Sequence, residues 1–139
     1  MRAPHFLRLA EIDDRRFINA CRHGLVHLTW GRITIRFSRD EFRRLARLLA
    51  RSADTVPPSS ARDGRMQVTC TSDEDCELQL GSLRLALSRN DFHAFGRAVR
   101  EAVEQLDEIL DAGMWDETEP EDAPPTIIEH FRRHRFSEN

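Results

Sequence analysis

The stretch that decides the fold is HLTWGRITIRFSRDEFRRLARLLA, residues 27–50, which returns 50 residues later as ELQLGSLRLALSRNDFHAFGRAVR, residues 77–100. In each copy, an alternating apolar run, a glycine and a second alternating run precede a helical pattern. The same order of patterns at one offset indicates an internal repeat. Six positions are identical between the copies: Leu28 and Leu78, Gly31 and Gly81, Ser38 and Ser88, Arg39 and Arg89, Phe42 and Phe92, and Arg47 and Arg97.

Alternating apolar and polar residues on both sides of a glycine predict a β-hairpin in each copy. The alternating runs flank Gly31 in the first copy and Gly81 in the second. A period of two residues is typical of a half-buried strand, and glycine permits the tight bend between two such strands.

A serine followed by acidic residues opens each helical pattern. Ser38 with Glu41 forms a capping box, and Ser88 with Asp91 forms a weaker version of it. The spacing of apolar residues then predicts one helix over residues 39–51 and a second over residues 89–112. Gly113 stands where a C-terminal cap belongs.

A third strand is predicted ahead of each hairpin, over residues 16–21 and 66–70, with residues 54–64 as the loop that joins the repeats. The best local offset between these two strands is 49 residues, which places Cys21 over Cys70. The predicted fold class is therefore α+β, an internally duplicated βββα–βββα chain. We expect a six-stranded antiparallel sheet with two helices packed on one face, plus a short C-terminal helix.

The chain divides into a domain, a linker and a tail. Residues 1–113 are predicted to form a single duplicated domain, with repeats at about 15–52 and 65–113. An acidic, proline-containing linker follows over residues 114–125, and residues 126–139 are predicted to form a short basic amphipathic helix and tail. Thr126 and Glu129 suggest a second capping box. A helix this short needs a docking surface, either in its own chain or in another one.

The net charge of −3 hides a strong polarity along the chain. The first 51 residues hold 12 Arg and 5 acidic residues, and the rest of the chain holds 9 Arg and 19 acidic residues. The first part is therefore basic and the second part acidic. No apolar stretch is long enough to span a bilayer, and nothing at the N-terminus resembles a signal peptide. Three cysteines, an odd number without a repeated C-x-x-C, fit a reducing cytoplasm better than a disulfide scaffold. We expect a cytoplasmic protein without a membrane partner.

Oppositely charged helices predict a non-enzymatic protein–protein interaction or adaptor module. Repeats of opposite charge can pair about a two-fold axis, so we expect self-association through these helices or binding to another protein. The predicted partner-binding residues are Arg39, Arg43, Arg44, Arg47 and Arg51 on the first helix, Glu101, Glu104, Asp107 and Glu108 on the second, and Ile127, Ile128 and Phe131 in the tail.

Nucleic-acid binding is the alternative, with the arginine stripe of the first helix as its site. Arg39, Arg43, Arg47 and Arg51 recur every four residues, and guanidinium groups suit phosphate. Two features oppose this alternative. The acidic second half would repel a polyanion, and the sheet positions expected to be exposed include no aromatic residue to stack a base. Those positions are His27, Thr29, Thr34, Glu77 and Gln79.

Metal binding and catalysis rank below both binding hypotheses. Cys21, His23 and His27 offer potential zinc ligands, and His130 and His134 form an i,i+4 pair. The alternation is expected to place Cys21, Cys70 and Cys76 toward the core and His27 on the opposite face, which favours packing over metal binding. No hydrolase, metalloprotease, phosphate-loop or dinucleotide motif occurs. We therefore predict no catalytic residue, no metal and no cofactor.

Overall fold

The chain passes twice through four strands and a helix. The computed structural model describes residues 6–21, 24–113 and 126–129. In the first passage, β1 (Phe6–Asp13), β2 (Arg16–Cys21), β3 (Leu25–Trp30) and β4 (Ile33–Ser38) lead into α1 (Arg39–Ala53). In the second, β5 (Ser59–Asp63), β6 (Met66–Cys70), β7 (Asp75–Leu80) and β8 (Leu83–Ser88) lead into α2 (Arg89–Asp111).

The α+β class is confirmed, but the single six-stranded sheet is wrong. The strands form two antiparallel sheets, in the orders β1-β2-β3-β4 and β5-β6-β7-β8, which we call sheet A and sheet B. In each sheet, strands that follow one another in the chain pair with one another. Each passage therefore makes a complete meander of its own, and the repeating unit is ββββα rather than βββα.

The first strand of each unit, β1 and β5, was not predicted from the sequence, for physical reasons. In β1 the register shifts between Arg8 and Ala10, so that Leu9 and Ala10 are both buried and the two-residue period is interrupted. In β5, the residues Ser59–Asp63 are polar and resemble a loop, although they pair with β6 along their whole length. Neither segment carries the alternation on which strand prediction depends.

The hairpins around the repeated glycines are confirmed. Gly31 and Gly81 have φ angles of 66° and 64°, as the first central residue of a type II′ turn requires. The N–H of Gly31 donates to the carbonyl of Arg15 at 2.9 Å, and the N–H of Gly81 donates to that of Arg65 at 3.0 Å. Because this bond recurs at an offset of 50 residues, the offset of 49 that placed Cys21 over Cys70 does not hold.

Both helices begin at the predicted serines. The Ser38 hydroxyl accepts a hydrogen bond from the Glu41 N–H at 3.1 Å, and the Ser88 hydroxyl accepts one from the Asp91 N–H at the same distance. Each bond satisfies one of the free N–H groups in the first turn of a helix. The end of each unit's last strand is thus also the start of its helix.

One hydrophobic core joins the two sheets through the helices. Helix α1 packs on β3 and β4 of sheet A and on β5 and β6 of sheet B, while α2 packs on β1, β2, β7 and β8. The equivalent residues Phe42 and Phe92 are both buried in this core, and the helices also pack on each other. The expected arrangement of two helices on one face of one sheet is replaced by two helices that each contact both sheets.

The beginning of the tail is a strand and not the predicted helix. Residues Thr126–Glu129 form β9, which pairs antiparallel with β4 so that Ile127 stands opposite Ile35. Threonine and isoleucine favour strands, and the edge of β4 offers backbone hydrogen bonds that an isolated helix lacks. The predicted linker, residues 114–125, and the rest of the predicted helix, residues 130–139, lie outside the described residues.

Removal of the Ser88 hydroxyl tests whether this cap stabilises the start of α2. We expect Ser88→Ala to lower the free energy of unfolding by about 1 kcal/mol, because the Asp91 N–H loses its acceptor. Ser88→Asp keeps an acceptor at the cap and should retain most of the stability. Urea denaturation measures both changes, and an equal loss in the two variants would contradict the capping role.

Candidate interaction surfaces

The five arginines of the predicted stripe on α1 differ in their exposure and in their partners. Arg39 is only 2% exposed and is therefore not a surface residue. Arg43 and Arg44 are half-buried and form ion pairs within the chain. Arg47 and Arg51 are exposed, although an Arg51 Nη2–H also donates to the carbonyl of Arg62 at 3.4 Å. Two arginines of the predicted five-residue stripe are thus exposed, Arg47 and Arg51.

Arg44 ties α1 to sheet B. Its Nη2 lies 2.5 Å from Oδ1 of Asp63 in β5, and its Nη1 lies 3.0 Å from Oε1 of Glu41. Hydrogen bonding by the Arg44 guanidinium holds the pKa of the Asp63 carboxyl below its usual range, and the same contact raises the pKa of Arg44. This arginine therefore holds the helix on the sheet.

An ion pair within the chain joins the basic helix α1 to the acidic half of α2. Nη2 of Arg43 in α1 donates to Oδ1 of Asp107 in α2 at 2.8 Å. Glu101, Glu104 and Glu108 are exposed on α2 beyond this pair. Part of the charge complementarity that predicted self-association is thus already used to join α1 to α2.

A cleft of about 190 Å³ lies between the helices, beyond the Arg43–Asp107 pair. Three of its lining residues, His93, Arg97 and Arg100, are exposed basic residues of α2. The exposed Arg47 and Arg51 of α1 do not line this cleft, and both lie near enough to Asp63 of β5 to lower its pKa. We call the five exposed basic residues of the two helices, two on α1 and three on α2, the basic surface. The floor and walls are mainly apolar and are contributed by Ala46, Leu49, Ala50, Ala53, Phe92 and Gly96.

Sequence reasoning missed the residues of α2 that complete the basic surface. His93, Arg97 and Arg100 stand on a helix whose second half is acidic, so the net charge of its repeat conceals them. Their spacing of three and four residues places them on one side of a helix. This spacing was the signal in the sequence that could have identified them, just as a spacing of four residues identified the stripe on α1.

The outer face of sheet A carries aromatic residues, which corrects the expectation of an aromatic-free sheet surface. Strand register places Phe17 opposite Thr29 and on the same face as His27. Phe6, 54% exposed, lies edge-on to His27 with ring centroids 5.3 Å apart, and the Arg8 guanidinium lies 4.0 Å from the Phe17 ring centroid. Since this cation covers the Phe17 ring, the ring is not a free stacking platform.

The three cysteines are all buried, but they do not share one environment. Cys70 and Cys76 belong to the core and stand opposite each other on β6 and β7, with their Sγ atoms 2.7 Å apart. Burial, followed by hydrogen bonding to Cys76, raises the pKa of Cys70 to about 11, so this thiol is protonated at neutral pH. The strand alternation places Cys21 on the outer face with His27, contrary to the expectation that it faces the core.

The described residues include no group of three or more His, Cys, Asp or Glu side chains that could hold a metal ion. Burial, and to a smaller extent the nearby Arg36, lowers the pKa of His27. His23, His130 and His134, which the sequence offered as further ligands, lie outside the described residues. A separate finding is that none of the described helices is long and apolar enough to cross a membrane.

The predicted binding residues of the tail are separated from the helical surfaces. Ile127 and Ile128 take register positions opposite Ile35 and Thr34 of β4, at the edge of sheet A. Phe131, the third apolar residue of the predicted tail helix, lies outside the described residues. The backbone of β9 extends sheet A to five strands.

An acid-dependent measurement tests the link between α1 and sheet B. The pKa of Asp63 is lower in the folded chain, so its contribution is fully present above about pH 5 and is lost as pH falls through the folded-state pKa. We expect Asp63→Asn to lower the free energy of unfolding by about 1 kcal/mol at neutral pH and by less in acid. Urea denaturation at both pH values measures this, with Asp73→Asn in an exposed loop as the control. An equal loss at both pH values would contradict the ion-pair explanation.

The surfaces described above cannot be compared with those of a relative. No protein-family model, no curated protein and no solved structure matches this chain. Function is therefore inferred from the charges, clefts and strand edges of the chain itself.

Proposed function

We propose that this chain is a non-enzymatic protein–protein interaction module that self-associates through the oppositely charged surfaces of its helices. The observation that carries the proposal is the segregation of charge along the exposed side of α2. Its first half presents His93, Arg97 and Arg100, and its second half presents an acidic surface. That acidic surface consists of Glu101, Glu104, Asp107, Glu108 and Asp111, all of which are exposed.

Helix stability does not account for this order of charges. The N-terminus of a helix carries partial positive charge and its C-terminus partial negative charge, so acidic residues stabilise the start and basic residues the end. The last turn of α2 contains no basic residue, and Glu108 and Asp111 lie close to the C-terminus instead. An oppositely charged partner would relieve this unfavourable arrangement, which supports a binding role for the segregated charges.

A second copy of α2 is a complementary partner. If two α2 helices lie antiparallel about an axis near residue 102, His93 faces Asp111, Arg97 faces Asp107 and Arg100 faces Glu104. Each of these pairs occurs twice in a two-fold dimer, because the same surface of both copies is used. Arg97 of the second copy would then join the existing pair of Arg43 with Asp107.

The expected association is weak and sensitive to salt. Exposed ion pairs each contribute roughly 0.2–1 kcal/mol and are screened by dissolved ions. The cleft beside the basic surface supplies apolar contact area, with Leu49 and Phe92 among its lining residues. A side chain of a bound protein that fills this cleft would add affinity that salt does not remove.

Nucleic-acid binding remains the second candidate function, on a revised set of residues. The specific observation in its favour is the basic surface, to which both helices contribute exposed basic residues. Arg47, Arg51, Arg97 and Arg100 would contact phosphates, since Arg39 is buried and Arg43 and Arg44 have acidic partners. The neighbouring acidic surface favours a protein partner over a polyanion.

We further infer that the chain arose by duplication of a ββββα unit. An offset of 50 residues relates the starts of β2, β3, β4 and α1 to those of β6, β7, β8 and α2. The same offset relates both turn glycines and both capping serines. The copies have diverged at most other aligned positions, and one of the differences is in their charge, on which the proposed binding depends.

Charge reversal tests self-association through α2. We expect His93→Glu with Arg100→Glu, and separately Glu104→Arg with Asp111→Arg, to abolish the dimer at low salt, because each change opposes like charges. An equimolar mixture of the two double variants should associate again, since the reversed charges then match. Sedimentation equilibrium measures all three samples, at low and at high salt.

The control is Arg32→Glu with Arg65→Glu, which makes a comparable change in net charge at two exposed hairpin turns. This variant should associate like the wild type. Self-association through α2 is wrong if the wild type sediments as a monomer at the highest concentration reached, or if mixing the two α2 variants restores nothing.

Fluorescence anisotropy with labelled single-stranded RNA and duplex DNA separates the second candidate from the first. Nucleic-acid binding predicts association at low salt that Arg47→Glu with Arg97→Glu abolishes, because two phosphate contacts are lost. The interaction module predicts no such association. Binding that this double change leaves unaltered would exclude the basic surface as the nucleic-acid site.

A further inference from the structure

The outer edge of β8 is regular, pairs with no further strand of the described residues, and carries a single charged residue. An edge strand presents free backbone N–H and C=O groups, and proteins usually interrupt, charge or cover such strands. The edge formed by β1 is interrupted by two register shifts. The edge formed by β4 is covered by β9.

The edge formed by β5 is also protected. It carries the charged residues Arg62 and Asp63, and the carbonyl of Arg62 accepts a hydrogen bond from the Arg51 side chain. By contrast, β8 pairs with β7 over its whole length without a register shift. It contains one charged residue, Arg84, and no proline.

The pairing of β4 with β9 indicates what the edge of β8 binds. In β4, Thr34 and Arg36 stand opposite Ile128 and Thr126 of the added strand. The equivalent positions in β8, 50 residues later, are Arg84 and Ala86. Both hairpins have two-residue turns, so alternation of the ladder directs the backbone groups of Arg84 and Ala86 away from β7.

We propose that β8 binds an extended segment of a partner protein by β-strand addition. Such a segment would extend sheet B as β9 extends sheet A, through backbone hydrogen bonds to Arg84 and Ala86. An apolar residue opposite the buried Leu85 would continue the core face, and a carboxylate beside the exposed Arg84 would complement its charge. The partner is thus a short segment that combines β-branched apolar residues with an acidic residue.

A surface cleft of about 520 Å³ begins at the end of β8, where Ala86, Leu87 and Ser88 line it. It extends away from the free edge of β8, over β7 and β6, where Asp75, Glu77 and Thr69 contribute to the lining. Of the added strand, only a side chain next to Ala86 on this face would reach the cleft, so selectivity would depend mainly on the residues opposite Arg84 and Leu85.

The test uses the full chain and a labelled peptide with the sequence of residues 123–131, APPTIIEHF, which contains the strand that pairs with β4. We expect fluorescence anisotropy to detect binding and hydrogen exchange to slow at Arg84 and Ala86. Ala86→Pro removes one outward N–H and leaves the bonds of β8 to β7 in place. This change should weaken binding about tenfold or more. Ala86→Ser keeps the N–H and should bind like the wild type, and circular dichroism should show both variants folded.

Several outcomes would overturn the proposal. They are no peptide binding at millimolar concentration, unchanged binding by Ala86→Pro, or slowed exchange on β4 instead of β8. Loss of self-association in Ala86→Pro would also overturn it, because a second copy of the chain would then occupy the edge. The α2 variant His93→Glu with Arg100→Glu should still bind the peptide, so failure of the proposed helix-mediated association is distinguishable from failure at β8.

Discussion

The packing of α1 and α2 across both sheets is the constraint on which the rest of the structure depends. A four-stranded meander has one apolar face and cannot bury it without another layer. Here neither sheet is covered by the helix of its own unit alone, since each helix contacts strands of both sheets. Phe42 and Phe92, at equivalent positions in the two helices, are buried in the resulting common core. Neither ββββα unit therefore encloses a complete core by itself.

This packing also decides which charges are available for binding. Because α1 lies against both α2 and β5, Arg43 meets Asp107 on one side and Arg44 meets Asp63 on the other. These contacts stabilise the helical layer and remove two arginines from the free surface. The basic residues of the helices that remain exposed are Arg47 and Arg51 on α1 and His93, Arg97 and Arg100 on α2, and the last three line the cleft. The candidate binding surface is thus a consequence of how the fold uses its ion pairs.

The sequence was sufficient for the features that depend on neighbouring residues. The glycine hairpins, the serine caps and the extent of both helices follow from local chemistry, and all of them are confirmed. Pairing between distant segments could not be derived in the same way. The polar strand β5 becomes a strand because it pairs with β6, and Thr126–Glu129 becomes a strand because β4 offers an edge. A capping-box pattern at Thr126 was weaker than that tertiary preference.

The candidate sites, too, could be predicted only where they depend on residues that are neighbours in the sequence. The arginine stripe on α1 was visible as a spacing, but the burial of Arg39 depends on packing that a spacing does not reveal. The acidic surface of α2 was predicted as a charge run, while the basic half of the same helix was hidden in the net charge of its repeat. The edge of β8 required the count and order of strands, and the sequence analysis had one strand too few in each unit.

The described residues contain two equivalent strand edges, on β4 and β8, and one added strand, β9. The edges of β4 and β8 are related by the 50-residue repeat and end at equivalent capping serines. Only one segment Thr126–Glu129 exists, and it pairs with β4. An exposed regular edge promotes unspecific pairing with other chains, and the other described edges here are protected against it. Within the described residues, β8 has neither a register shift nor an added strand, whereas β1 is interrupted, β4 is covered and β5 is charged. This difference is the physical reason to regard the edge of β8 as a binding site.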